Sequence, residues 1–312
     1  MSAAAGAILV AAAVVGVIIL AHRDRGGASA GDAVKSYLQA LARGDAETAL
    51  SYGIDRPATT GFLTADILKR QGARWPIRNI TILHDNSSAP GAALSMAQVH
   101  ASATFGDQTS DVILHLRMDH QRWKLTSPAI KFTPGLGASM GNAAAKTVTV
   151  FGEPIGNSTV YVFPGWIDIG STNPYLTVTV PPLLLDQLTM AAPFWVHPTF
   201  AVADQGREAV GAQLTATMAN CQRSSLLAPP GCPVHLNSSG LAEGTAEWGT
   251  ADSRAVTLDT VDPYRLTVRF DARITVPVTV KTRGGATEQN VVTDAVSGTA
   301  DLAKVPPDLV FG

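Results

Sequence analysis

Few side chains in this chain are spaced for chemistry. Cys221 and Cys232 flank a segment containing Pro229, Pro230 and Gly231, a composition that turns the backbone sharply. A bridge between them would close a loop of about a dozen residues and stabilise by roughly 2–3 kcal/mol through lost unfolded-state entropy. The alternatives are a metal pair, a redox couple or two buried free thiols. The spacing is neither that of a zinc ribbon nor that of a C-x-x-C redox motif, and there is no third cysteine. A structural disulfide is therefore expected.

His100 and His115 fall on the two arms of a hairpin. With a four-residue turn they could face each other on its polar side, with Asp111 and His84 nearby. Zinc needs three or four ligands, and no spacing fixes the remaining ones, so no metal is assigned. The same residues could line a pocket holding a general base, with Asp107, Asp111 or Tyr52 as players. Asp107 lies in the turn itself, where its ordinary role is turn formation. No acid–base pair stands out, so no catalytic residue and no cofactor is named. Arg265, Arg269 and Arg273 recur every fourth residue, about 13 Å apart on an extended strand. Such a stripe could contact an anionic wall polymer or a phospholipid surface. Asp271 interrupts it, and wet strand faces ordinarily carry such charges. Absent altogether are G-x-x-x-x-G-K-[ST], G-x-S-x-G, S-x-x-K and H-E-x-x-H, which argues against P-loop enzymes, serine hydrolases, penicillin-binding enzymes and zincins.

The elements that would position these residues follow from length and pattern. The 312 residues suffice for about two domains. With 46% hydrophobic and 15% charged residues, long charged tails are not expected. A net charge of −2 argues against a dedicated nucleic-acid binder. From Ala3 to Ala21 no residue is charged, and a helix of that length nearly spans the hydrocarbon core of a bilayer. Residues 1–25 are read as a single-pass membrane anchor and 26–31 as a linker. Ala28-Ser29-Ala30 leaves a cleaved signal peptide as the alternative. Arg23 and Arg25 follow the apolar run and would by themselves hold the body in the cytoplasm. The cysteine pair prefers an oxidising compartment. The body is accordingly expected to be extracytoplasmic at the cell membrane.

Residues 32–132 read as helices followed by a sheet, an α+β domain. Val34, Tyr37, Leu38 and Leu41 recur with helical period after Asp32, read as the cap; Gly44 ends that helix and Asp45 caps the next. A third helix runs from Ala65 to Gln71 behind Thr64 and stops near Gly72. From Trp75 the period becomes two, with Ile80 and Ile82 in one strand. A hairpin spans Ala97 to Met118 around Gly106-Asp107-Gln108-Thr109, and a strand follows from Arg122 to Ser127. Residues 133–146 form a Gly- and Ala-rich linker, and 147–312 a β-rich domain expected to be an all-β sandwich or half-open barrel. Its clearest signal is the alternation of Leu266, Val268, Phe270, Ala272, Ile274, Val276, Val278 and Val280 with polar residues. So long a run is expected to bend near Pro277. Asn290 to Leu302 is expected to pair with it, and only Leu183 to Met190 looks helical.

The segment Asp32 to Leu50, with Arg122-Trp123-Lys124-Leu125, resembles extracytoplasmic bacterial members of the cone-shaped nuclear transport factor 2-like family. Tyr161-Val162-Phe163-Pro164-Gly165, Asn173-Pro174-Tyr175, Cys221 and Gly231-Cys232-Pro233 resemble the second domain of actinobacterial-type envelope proteins of the teicoplanin-resistance-associated family. The first resemblance implies a fold without a reaction, since members range from isomerases to silent spacers. Together these readings describe a non-catalytic, membrane-anchored envelope protein that binds a partner protein or wall polymer. The alternative is a small-ligand binder or isomerase-like enzyme using the mouth of the cone.

Overall fold

The computed structural model describes residues 28–87, 95–134, 142–156, 158–189, 194–237, 239–253 and 256–312. The anchor expected at 1–25 lies outside these residues. Among the described residues no helix is long and apolar enough to cross a membrane. The chain divides into two units that are not contiguous in sequence. One comprises residues up to Thr133 together with Thr159–Ile167 and Pro182–Phe194; the other holds Pro134–Ser158, Asp168–Pro181 and Trp195–Gly312. Two short stretches that the sequence reading places in the second domain thus group with the first unit.

The first unit opens with α1 (Ala30–Arg43), which starts earlier than expected because Ser29, not Asp32, caps it. Asp32 instead completes a capping box. Its N–H donates to Ser29 Oγ, and its carboxylate accepts from the Ser29 N–H, both at 3.1 Å. Ala30 and Gly31, read as linker, are therefore the first helical residues. Gly44, at φ 73°, closes the helix in the left-handed conformation that favours glycine. Asp45 caps α2 (Ala46–Ser51), and Thr64 caps α3 (Ala65–Arg74). α3 runs through Gly72 to Arg74, since one helical glycine costs only about 1 kcal/mol.

Strands β1 (Ile77–Asp85), β2 (Met96–Phe105), β3 (Gln108–Asp119) and β4 (Arg122–Leu125) form an antiparallel meander. The β2–β3 turn is tighter than expected. Phe105 pairs with Gln108, leaving only Gly106 and Asp107 in the loop, with Gly106 at φ 62°. The pairing is consequently shifted by two residues: His100 faces Ile113, and His115 faces Gln98. Because the side-chain period of a strand is also two, both faces survive the shift. Ala97, Val99, Ala101, Ala103, Leu114 and Leu116 are buried on one face, and α1 packs on that sheet. Later chain completes this unit. Strands Ile130–Pro134 and Val160–Val162 pair, and a 3₁₀ turn, Leu185–Thr189, lies against β3.

The second unit mixes helix and sheet and is not all-β. Its 18-residue helix α4 (Asp204–Cys221) buries Gly206, Val210, Leu214, Met218 and Cys221 along one stripe. An open half-barrel sheet is built on two 15-residue strands, Thr267–Lys281 and Thr287–Asp301, paired without a register break. Pro277 does not interrupt this pairing. The Pro277 carbonyl accepts from Gly249 N–H at 2.7 Å, so the position lacking an N–H points toward Gly249, away from the Thr287–Asp301 ladder. The strand begins at Thr267. Leu266, at φ 56°, and Arg265 belong to the preceding turn.

Candidate functional site

If the first unit worked through its interior, an ionisable side chain should stand on the floor between helices and sheet. Tyr37, Leu38, Leu41, Val99, Ala101, Leu114 and Leu116 close-pack there, each at most 1% exposed. Tyr37 has a titratable group, but its hydroxyl donates to the buried Pro128 carbonyl at 2.8 Å. Burial drives its pKa well above the ordinary tyrosine range, leaving a neutral donor with its partner already in place. The other buried polar side chains of this unit described here are Gln71, Ser110 and Thr133. Gln71 Nε2 donates to the carbonyls of Phe163 (3.1 Å) and Trp166 (2.9 Å), fastening a late segment onto α3. Ser110 donates to Asp186 at 2.8 Å and accepts from Leu185 N–H at 3.3 Å, holding the 3₁₀ turn over the sheet. Apolar side chains and structural hydrogen bonds thus occupy this interior.

The open space lies beside it. A cleft of about 340 Å³ lies near the end of β4, lined by Asp55, Arg56, His115, Lys131, Tyr161 and Gln187 among others. Lys131 and Tyr161 are register partners, while Ile130, Phe132, Val160 and Val162 alternate into the core. Period-two geometry therefore projects the ammonium and the phenol from one face. Asp55 is placed by its N–H, which donates to the Thr126 carbonyl at 3.0 Å. Arg56 and Pro57 also border a second cavity of about 960 Å³ lined by Arg122, Lys124, Asp119 and His120. There Lys124 Nζ lies 2.9 Å from Asp119. Hydrogen bonds from Lys124, and then from His120, hold the Asp119 carboxyl below the usual carboxylate range. These surfaces carry both signs of charge and suit polar, mixed-charge contacts better than a single strong anion.

The sequence-predicted residues are dispersed. His100 Nε2 contacts Asp111 at 2.5 Å on the outer face of the sheet, His100 half-buried and Asp111 exposed. His84 pairs across the strand with His100, and His115 Nε2 lies 3.4 Å from Gln98 Nε2. His115 alone of the proposed pocket trio lines the 340 Å³ cleft. Among the described residues no three His, Cys, Asp or Glu side chains converge to hold a metal. Arg269 and Arg273 are exposed on the wet face with Asp271 between them, and Arg265 is off the strand, so the expected three-residue stripe is reduced to two positions. Cys221 and Cys232 are brought together as expected, S–S 2.08 Å and Cα–Cα 5.7 Å, tying the end of α4 to the following loop. Arg56, Lys131, Tyr161 and Gln187 were missed as site residues. The alternation in Val160-Tyr161-Val162 is visible, but its pairing with Lys131 is long-range and has no local signature. No known protein family, curated protein or solved structure matches this chain.

Proposed function

We propose that this chain is a non-catalytic, membrane-anchored protein of the bacterial cell envelope, its body extracytoplasmic, where it binds a partner protein or wall polymer. The observation that carries the reading is the occupied interior of the first unit. In the first unit Tyr37, Leu114 and Leu116 are buried between helices and sheet, and His100 meets Asp111 on the sheet's outer face. The disulfide-distance pair Cys221–Cys232 supports an oxidising compartment. The apolar run before Ala21 supplies the anchor. Crosslinking intact cells with a membrane-impermeant reagent tests the reading. The chain should be recovered from the membrane fraction joined to a discrete envelope protein or wall fragment. Recovery as an uncrosslinked cytosolic species contradicts it.

A second reading, a carrier of a small polar ligand, draws on the cleft where Lys131, Tyr161, His115 and Asp55 meet. It requires that Lys131→Ala and Tyr161→Phe each abolish a ligand-induced rise in melting temperature. Equal rises in wild type and both variants would end it.

A further inference from the structure

The strand Thr287–Asp301 is paired along its whole length with Thr267–Lys281 on one side. On the other side, Asp308–Phe311 covers only Gly298–Asp301, and Gly312 N–H reaches the Ser297 carbonyl. Antiparallel backbone groups alternate in direction. Since Ser297 points outward to Gly312, the outward positions before it are Thr287, Gln289, Val291, Thr293 and Ala295. Among the described residues no strand pairs with them. The register is unbroken, with no bulge, and the stretch contains no proline, lysine or arginine. Several usual protections of an exposed edge are therefore missing.

Two carboxylates lie on this stretch. Glu288 and Asp294 stand across from Val280 and Ile274, on the face that faces the core further along the strand. Glu288 is exposed and Asp294 half-buried, and Asp294 has no hydrogen-bond or ion-pair partner among the described residues. A half-buried carboxylate beside an isoleucine gains from a cation supplied by whatever covers it. A second copy of the same edge is a poor occupant. Two-fold antiparallel pairing about Val291 would place Glu288 opposite Asp294 twice, and like charges directly opposed across strands are destabilising.

We propose that the Thr287–Ala295 edge accepts an extended, basic segment of a partner polypeptide as an added antiparallel strand. Its Lys or Arg side chains would be six residues apart, opposite Glu288 and Asp294. Main-chain hydrogen bonds to the outward positions would give affinity, and the two carboxylates would give sign and register. The proposal deepens the binding reading above by naming a partner chemistry. It is tested on purified full-length chain, so its failure is distinct from failure of the envelope location.

The probe is a labelled nonapeptide, Thr-Lys-Thr-Val-Thr-Val-Thr-Lys-Thr, compared with the same peptide bearing Glu in place of Lys, both followed by fluorescence anisotropy. The Lys peptide should bind on the order of tenfold more tightly than the Glu peptide, with the preference weakening as salt rises. Val291→Pro removes one outward N–H without touching the ladder to Thr267–Lys281, as Pro277 already does on the facing strand. This variant should fold as wild type and lose binding. Glu288→Lys combined with Asp294→Lys should invert the preference. Equal binding of the two peptides, undiminished binding by a folded Val291→Pro variant, or concentration-dependent dimerisation abolished by that variant would each overturn the proposal.

Discussion

Replacing Tyr37 with phenylalanine tests whether the interior of the first unit is a packed core or an acid–base site. The hydroxyl is fully buried, and its bond to the Pro128 carbonyl is 2.8 Å. Removing it leaves that buried carbonyl unpaired, at a cost of about 1–2 kcal/mol near neutral pH. The pH dependence carries the diagnostic sign. An unfolded tyrosine ionises near pH ~10, whereas burial raises the pKa of Tyr37 in the folded chain. Above ~10 the unfolded state releases a proton that the folded state keeps. Stability present in full below that pH is therefore lost at about 1.4 kcal/mol per pH unit as pH rises toward the folded pKa. Phenylalanine has no proton to release, so the difference between wild type and variant should close within about one pH unit above ~10. Urea denaturation followed by near-ultraviolet circular dichroism, from about pH 7 to about pH 11, measures this gap directly. A gap that stays constant, or a tyrosinate signal from Tyr37 in the folded protein near pH ~10, would refute the reasoning. Tyr37 would then be an accessible acid, and the interior a candidate reaction site.

Other positions give equally direct tests. Adding a methyl group at Gly298 would bring a carbon to 2.4 Å from the Val310 carbonyl oxygen and 2.8 Å from the Phe270 ring. That ring packs edge-to-face on Phe311, so Gly298→Ala should destabilise the second unit by about 1–3 kcal/mol and release Asp308–Phe311, seen as faster amide exchange there. Asp85 accepts from Gly31 N–H at 2.7 Å and Ser87 N–H at 2.8 Å, tying the first turn of α1 to β1. Desolvation opposes the charged form, but these bonds outweigh it and lower the pKa. The stability they contribute should be present above the unfolded carboxylate pKa of ~4 and lost as pH falls through the folded value. Asp85→Asn should flatten that acid limb in a thermal scan; an unchanged limb would contradict the assignment. Replacing Cys221 and Cys232 with alanine opens a loop whose ends are 11 residues apart, for an expected loss of about 3 kcal/mol in chemical denaturation.

Local chemistry made much of this fold legible. Gly44 and the Asp45 cap lie where the residue types placed them, and both faces of the β2–β3 hairpin were read correctly. The hairpin's register was not. A two-residue and a four-residue turn bury the same side chains, so hydrophobic pattern alone cannot choose between them, and the His100–His115 pair depended on that choice. Helix α4 has a weak local signal because Gly206, Gly211, Thr215 and Thr217 dilute its propensity. The spacing of Val210, Leu214, Met218 and Cys221 was nevertheless a helical stripe open to reading. Pro277 sits inside an unbroken ladder. Whether a proline interrupts pairing depends on which side its missing donor faces, and that is fixed by the neighbouring strand. The candidate cleft was the least legible feature, because Lys131, Tyr161, Asp55 and Gln187 come from four separate segments of chain.

If, as proposed, the body of this protein works on the outer side of a membrane, its Cys221–Cys232 pair is oxidised in the cell. Labelling intact cells with a membrane-impermeant maleimide, with and without prior treatment by an impermeant reductant, tests it most directly. An oxidised extracytoplasmic pair gives no labelling without reductant and labelling of both cysteines after it. Contradiction would come from thiols that react only once the membrane is permeabilised, with no need of reductant, since that would place a reduced pair in the cytoplasm.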